Sequence, residues 1–306
     1  MLIPSSVLLF AALGVATSCA GLRHPTPAAS RAVIDVHLHA GPTTPGTTYG
    51  ESQARGLLEE LDKHGVVLAI LGGPPADVQR MRSAAPGRII GSVAFPCSDG
   101  RDPNLFECFA SGADWPEIDW LRGEVDAGRV GALGELYNVY AGVSPADARM
   151  IPYFDLAAEY DLVVLAHAES GPPPAGRAPG CCPAFDGELG HPALFEAPLS
   201  RHPQLRLILL HVFRPSFVQE AIQLMHRYPN VMVETSPMTR VSTDLVHAAV
   251  GGSLNVIESA TFLSTSQKRA ILYDNAARLL RLDGVRRGQK SAVTPTIARR
   301  PITAPP

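Results

Sequence analysis

Apolar and polar positions recur along this chain with two periods, which predict alternating strands and helices from residue 31 onward. Short aliphatic runs predict buried strands at residues 66–71, 88–95, 130–137, 162–167, 205–211 and 231–235. Helical spacing of apolar residues predicts helices at 51–64, 76–85, 117–127, 145–160, 192–200, 215–227 and 264–280, with a weaker one near 243–250. Ser264 followed by Gln267 predicts a capped start for the last helix.

This order of elements predicts a parallel sheet that is covered by helices on its outer side. At this length a closed (β/α)₈ TIM barrel is the leading fold, and a doubly wound open sheet is the alternative. No glycine-rich phosphate loop follows the first strand, which counts against a nucleotide-binding fold. The 306 residues, 46% hydrophobic and 18% charged, suit one large domain or two small ones.

The stretch from Val33 to Ala40 predicts a first strand with two unlike faces. Strict alternation puts Asp35, His37 and His39 on one face. The other face carries only apolar side chains, those of Ile34, Val36 and Leu38. Neutral imidazoles two residues apart can reach one metal ion, but a surface strand with a polar face has the same pattern.

The N-terminus predicts export. Residues 7–16 are an apolar run of signal-peptide length, too short to span a bilayer. The small residues up to Cys19 resemble a bacterial lipoprotein site with Cys19 lipidated, and cleavage after Ala20 is the alternative. We therefore expect a signal peptide at 1–19, a tether at 20–30, a barrel at 31–283 and a disordered tail at 284–306. The protein would lie in the periplasm or cell envelope, and a lipid anchor would be its only membrane contact.

The remaining cysteines do not indicate a zinc ribbon, and the net charge does not indicate a nucleic acid partner. None of the remaining cysteines has zinc-ribbon spacing, although an exported chain could pair some of them; they are Cys97, Cys108, Cys181 and Cys182. The formal net charge is −3 and no basic stripe occurs, so we expect no nucleic acid partner. The oligomeric state stays open.

Polar residues close several of the predicted strands. Glu135, His167 and His211 fall at strand ends, as His37 and His39 do. In a barrel these ends converge on one mouth, where clustered imidazoles and a carboxylate need a compensating cation. Each residue taken alone would be an ordinary core or rim residue.

These residues also carry a family resemblance. His37-Leu38-His39, Gly134-Glu135, His167, His211 and the closing segment Ile271–Leu280 resemble, in that order, the amidohydrolase superfamily, in its amidohydrolase-related branch of metal-dependent TIM-barrel hydrolases. The resemblance covers roughly residues 31–283. It implies a divalent metal, with zinc expected, bound by His37, His39 and His211 or His167. Glu135 matches a strand-four carboxylate that some branches use as a ligand. Glu135 or His167 would also transfer protons.

One part of the family pattern is missing. The family has an eighth strand ending in Gly-Ser-Asp-x-Pro, and its Asp binds metal and orients the water nucleophile. Nothing between Met238 and Ser253 has this sequence. The segment from Leu254 to Glu258 could form a substitute strand with Glu258 as the carboxylate. Otherwise the site is incomplete or the barrel is open at this seam.

Three functions follow from these features. The first is a metal-dependent hydrolase of a small-molecule ester, lactone, amide or phosphoester. The second is a metal-dependent decarboxylase of the same branch, which would use nearly the same ligands. The third is a non-catalytic barrel that lost the strand-eight Asp. Insertions at 96–116 and 169–190 would shape the pocket, with candidate lining residues Trp115, Tyr137, Tyr140 and Phe185.

Overall fold

Seven parallel strands, paired in sequential order, form one curled sheet. The structure is a computed structural model, and it describes residues 32–40, 51–96, 114–168, 183–212, 215–235 and 254–282. The strands are β1 (Val33–His39), β2 (Val66–Gly72), β3 (Ile89–Phe95), β4 (Ala132–Leu136), β5 (Val163–His167), β6 (Arg206–Leu210) and β7 (Val231–Val233). Sequential parallel order with a crossover helix between strands is the topology of a (β/α)₈ barrel, so the predicted fold class is confirmed.

Helices follow the strands close to their predicted places. They are α1 (Glu51–Lys63), α2 (Pro75–Ala84), α3 (Ile118–Asp126), α4 (Ile151–Glu159), α5 (Glu196–Arg201) and α6 (Pro215–Arg227). Short 3₁₀ helices occur at Asn138–Ala141, Gly187–Gly190 and Pro192–Phe195. The predicted start of α4 at residue 145 is wrong. The hydroxyl of Ser144 accepts a hydrogen bond from the backbone N–H of Ala146 (3.2 Å) and closes a turn before the helix, instead of capping it.

The predicted strict alternation along β1 is also wrong. Ile34 and Val36 pack in the inner apolar cluster, whereas Leu38 packs outward with Val33 and α1. The register between β1 and β2 shifts between Asp35 and Leu38. A register irregularity changes which face the following side chains take, so Leu38 leaves the face of the other two aliphatic residues.

Two apolar layers enclose the sheet. One outer cluster joins the first strands of the sheet to α1 and α2. A second outer cluster joins the later strands to α3–α6. An inner cluster contains buried side chains from β1 to β6: Ile34, Leu68, Ile70, Ile90, Ala132, Val163, Leu165, Ile208 and Leu210. The interior of the sheet is therefore a packed core, and polar chemistry is confined to the ends of the strands.

The sheet has no eighth strand within the part of the chain that the structure describes. Among the described residues, β7 pairs only with β6 and β1 only with β2. Residues 254–259 are helical and Glu258 is exposed, so the predicted substitute strand with Glu258 as its carboxylate is wrong. The physical reason lies in the aliphatic spacing of this short segment, which suits one apolar helix face as well as a strand.

The closing helical run comprises α7 (Thr265–Arg269), a π-helical turn (Ala270–Asp274) and α8 (Asn275–Leu279). Its predicted cap is confirmed, because Ser264 and Gln267 form a reciprocal capping box. Ala276 and Leu279 are buried in the inner cluster. The guanidinium of Arg206, at the start of β6, donates to the carbonyl of Leu279 (2.8 Å) and lies 3.3 Å from the carboxylate of Asp161. The closing helical run is thus fixed to the N-terminal end of the sheet.

Several predicted features lie outside the described residues and stay predictions: the signal peptide, Cys19, the tether, the weak helix near 243–250, the tail, Cys97, Cys108, Cys181, Cys182 and most of both insertions. Within the described part of the chain, no helix has both the length and the apolar character that a membrane span requires.

Arg206 gives a test of how the closing helical run is held. We expect Arg206→Met to lower the free energy of unfolding by about 1.5–3 kcal/mol, the usual contribution of a hydrogen bond to a charged group. Arg281 pairs with the same Asp161, but its side chain is 49% exposed. Arg281→Met should therefore cost no more than about 1 kcal/mol. Urea denaturation of both variants measures the difference, and equal losses would contradict the anchoring role.

Candidate metal centre

Six polar side chains meet at the C-terminal ends of the strands. Five were expected from the sequence, and the structure brings all five together: His37, His39, Glu135, His167 and His211. The sixth is Glu234, directly after β7, which the sequence reasoning missed. The signal for Glu234 was available, because it closes a predicted strand in the same way as the other five.

β1 delivers two imidazoles to this cluster. Nε2 of His37 lies 2.9 Å from Nε2 of His39. Both nitrogens face the same oxygen of Glu135, Oε2, at 2.9 and 3.3 Å. The carboxylate of Asp35 accepts a hydrogen bond from the backbone N–H of His37 (3.0 Å) at the point where the strand register shifts. The irregularity thus puts His37 and His39 on the side of Glu135 while Leu38 stays in the outer core.

Glu135 reaches the centre because Gly134 precedes it. Gly134 has φ +129°, and a Cβ at this residue would lie 2.2 Å from the carbonyl oxygen of Leu165. Only glycine permits this close approach of β4 to β5. The buried hydroxyl of Ser92 donates to the carbonyl of Gly134 (2.5 Å) and fixes the same peptide from the β3 side. The Glu135 side chain is 3% exposed.

The other oxygen of Glu135 faces a second pair of imidazoles. Nδ1 of His167 donates to Oε1, and Nε2 of His211 lies 3.3 Å from it. His167 ends β5 in regular register beside Leu210. His211 has φ +59°, in the left-handed region that a non-glycine residue rarely adopts. One carboxylate is therefore shared by four imidazoles, two on each oxygen.

Glu234 lies behind two of these rings. Its Oε1 accepts a hydrogen bond from the backbone N–H of His211 (2.8 Å). The same oxygen is 3.3 Å from Nδ1 of His211 and 4.0 Å from Nδ1 of His37. The Glu234 side chain is 5% exposed, so the cluster contains two buried carboxylates.

Burial and mutual charge shift the protonation of this cluster in opposite directions. Burial alone would raise the pKa of Glu135. The imidazoles of His37 and His167 outweigh this effect and hold the pKa well below its ordinary value. Burial lowers the pKa of His37 despite its contact with Glu135. Burial also opposes protonation of His211, yet its bonds to Glu135 and Glu234 raise the pKa to about 10. Burial raises the pKa of Asp35 to about 7.

The donor set fits a divalent cation. Ligands bound at about 2.0–2.1 Å in tetrahedral geometry lie about 3.3 Å apart, and several nitrogen–oxygen distances here are 3.3 Å. The potential ligand atoms of His37, His39 and Glu135, and those of Glu135, His167 and His211, lie within 4.8 Å of one another. Nε2 of His167 is buried without a hydrogen-bond partner among the described residues. Buried imidazole nitrogens without other partners are typical of a site that binds a cation.

Other candidates lie outside this cluster. Trp115 packs on Phe95 and Tyr153 in the outer core, with ring centroids 5.7 and 5.9 Å apart. The ring of Tyr140 lies tilted against those of His167 and Phe185, with centroids 5.5 and 5.2 Å apart. Tyr137 lies beside them, so Tyr137, Tyr140 and Phe185 form an aromatic wall next to the site. The remaining described histidines make local contacts elsewhere or lie at the end of α6: His64, His191, His202 and His226.

Known proteins are similar to this chain in family and in fold. The family model described as amidohydrolase matches residues 34–256. An uncharacterised TIM-barrel protein from Bordetella bronchiseptica superposes with a TM-score of 0.56 at 16% identity, covering 82% of this chain and 99% of that one. A 4-oxalomesaconate hydratase from Rhodopseudomonas palustris gives 0.49 at 15% identity, over 82% and 96%. A 5-carboxyvanillate decarboxylase from Sphingomonas paucimobilis gives 0.44 at 14%, over 81% and 98%. No curated protein matches the chain.

Gly134 gives a test of how Glu135 is positioned. We expect Gly134→Ala to lower the free energy of unfolding by about 3 kcal/mol or more, because left-handed strain costs about 1–3 kcal/mol and the clash with Leu165 adds to it. Gly123, inside α3, is the matched control, because a Cβ there meets nothing within 4 Å. Gly123→Ala should stabilise the helix by about 0.5–1 kcal/mol. Urea denaturation compares the two, and a neutral Gly134→Ala would contradict the close approach.

Proposed function

The chain belongs to the amidohydrolase family, and from that premise we propose that it is a metal-dependent hydrolase in which activated water attacks the carbonyl carbon of an ester, lactone or amide. The family consists mostly of enzymes, and they usually use a divalent metal. The observation that carries the proposal is the carboxylate of Glu135, each oxygen of which faces a separate pair of imidazoles.

The residues divide into two groups of potential ligands. His37 and His39 with Oε2 of Glu135 would hold one cation, for which zinc is the expected metal. Oε1 of Glu135 and Nε2 of His211, together with Nε2 of His167, would hold a second. A divalent ion bound there would lower the pKa of water towards about 7 and would polarise the substrate carbonyl. Glu135 binds to both groups, so its removal should affect both.

The protein's own residues supply position, charge and proton transfer. The low exposure of the Glu135 and His37 side chains keeps bulk water from these two groups, which strengthens the electrostatic contact between them. His167 is held through Nδ1 by Glu135, which leaves Nε2 as the atom that can accept a proton or bind a cation. Metal content separates these two roles of His167. Two ions per chain would make it a ligand, and one ion would leave Nε2 for proton transfer.

His39 provides the direct test of metal binding. We expect the purified full chain to bind one or two equivalents of Zn²⁺, measured by inductively coupled plasma mass spectrometry, and His39→Ala to lose one of them. His191, whose Nδ1 accepts from the backbone N–H of Ala193 and whose ring packs on Phe217, is the matched control. His191→Ala should keep the full metal content. Wild-type protein without bound metal after dialysis against Zn²⁺ would overturn the proposal.

Metal binding should also stabilise the fold. Zinc at 100 times its dissociation constant would add about 2.7 kcal/mol to the free energy of unfolding, since it binds only the folded chain. A chelator should remove this gain from the wild type. Glu135→Ala should gain little from added zinc, because both groups of ligands lose their shared carboxylate. Thermal melting with and without Zn²⁺ measures the effect, and an equal gain in both proteins would contradict the assignment of Glu135.

A panel of ester, lactone, amide and phosphoester substrates tests the reaction. We expect zinc-dependent hydrolysis of at least one carbonyl substrate, with turnover reduced at least tenfold in His39→Ala and unchanged in His191→Ala. Release of CO₂ from carboxylic acids without hydrolysis of the panel would assign a decarboxylase instead. Stoichiometric metal without turnover on either set would indicate a non-catalytic barrel.

A further inference from the structure

We propose that Glu234 is a positioning residue, which holds His211 from behind so that Nε2 of this imidazole points at the cation and at Glu135. The inference rests on the proposed function, because it assigns a role within the same site. Glu234 closes β7, and its carboxylate was not expected from the family pattern, which places the corresponding acid on an eighth strand.

The contacts of His211 define this role. Its two ring nitrogens face two different carboxylates, Nε2 towards Glu135 and Nδ1 towards Glu234, each at 3.3 Å. Because the two lone-pair directions of an imidazole diverge, one ring cannot direct both nitrogens at one ion. A carboxylate that accepts from Nδ1–H fixes the tautomer in which Nε2 is free to bind metal. Glu234 is therefore placed to orient His211 as a ligand through Nε2.

The backbone of His211 depends on the same carboxylate. The N–H of His211 donates to Oε1 of Glu234 at 2.8 Å, and the residue has φ +59°. A left-handed non-glycine residue costs about 1–3 kcal/mol and persists only where its surroundings impose it. Glu234 thus holds both the peptide and the ring of His211. A side chain that contacts the ring alone would fix its direction less well.

His37 extends the argument to the first ligand group. Its Nδ1 lies 4.0 Å from Oε1 of Glu234, while its Nε2 faces Glu135 and His39. The rings of His37 and His211 lie with centroids 4.8 Å apart, and Glu234 is behind both. One carboxylate from β7 therefore adjoins an imidazole of each group of potential ligands. This places Glu234 opposite Glu135 across the two rings.

Zinc affinity distinguishes positioning from ligation. We expect Glu234→Ala to keep the wild-type zinc stoichiometry but to raise the dissociation constant about 10–100-fold, the usual effect of removing a group that orients a ligand. Glu234→Gln keeps an acceptor oxygen and should recover most of the affinity. Glu258→Ala, which removes an exposed carboxylate outside the site, should bind zinc as the wild type does. Competition with a chelator measures all four proteins.

Two results of that titration would overturn the inference. If Glu234→Ala binds one zinc ion fewer than the wild type, Glu234 is itself a ligand. If its dissociation constant is unchanged, Glu234 positions nothing that the metal needs. Melting curves of the metal-free variants, with Glu234→Gln as the isosteric case, separate a loss of affinity from a loss of folding.

The metal-free protein gives a second and independent measurement. With ¹⁵N-labelled histidine, we expect the wild-type His211 to show an Nδ1–H resonance that exchanges slowly with solvent. This exchange should become at least tenfold faster in Glu234→Ala and stay slow in Glu258→Ala. An unchanged His211 resonance in Glu234→Ala would overturn the positioning role. A wild type that shows the protected resonance but binds no zinc would overturn the proposed function alone.

Discussion

The site depends on one buried carboxylate that is shared by four imidazoles. Glu135 directs one oxygen at His37 and His39 and the other at His167 and His211. A carboxylate has lone pairs enough for such a set, but its two oxygens are only about 2.2 Å apart, so four ring nitrogens must converge within a few ångströms. Three strands besides β4 must therefore end at the same level. The sequential parallel order of the sheet brings these ends together.

Regular strands alone would not produce this convergence. β5 is regular and places His167 by register, whereas β1, β4 and β6 each depart from regular geometry near their site residue. The departures differ in kind: a shift in register between Asp35 and Leu38, a glycine before Glu135, and left-handed backbone at His211. Each disturbs the ladder or strains the backbone at the mouth. The apolar clusters inside and outside the sheet offset that cost by removing a large apolar surface from water.

The contrast between regular strands and local irregularities explains how much of the fold and of the site the sequence could predict. The aliphatic runs predicted the strands, because strands follow from local periodicity. Polar residues at the ends of these strands predicted five of the six clustered side chains, because sequential parallel strands end at the same mouth. The face of Leu38 could not be predicted, because it follows from pairing between β1 and β2. Glu258 was misplaced because a five-residue aliphatic segment suits helix and strand alike. Glu234 also lies at the end of a predicted strand, but the family pattern places the corresponding acid on an eighth strand.

An eighth strand would have two tasks, and among the described residues two different elements take positions suited to them. At the N-terminal end of the sheet the task is to cover apolar surface, and the closing helical run does this, held there by Arg206 and Leu279. At the C-terminal end the task is to bring a carboxylate to the imidazoles, and Glu234 lies there directly after β7. Covering the apolar surface needs several apolar side chains, whereas contacting the imidazoles needs one carboxylate at a defined position. A helix can meet the first, whereas a residue at a strand end suits the second, because the strand ends converge on the site.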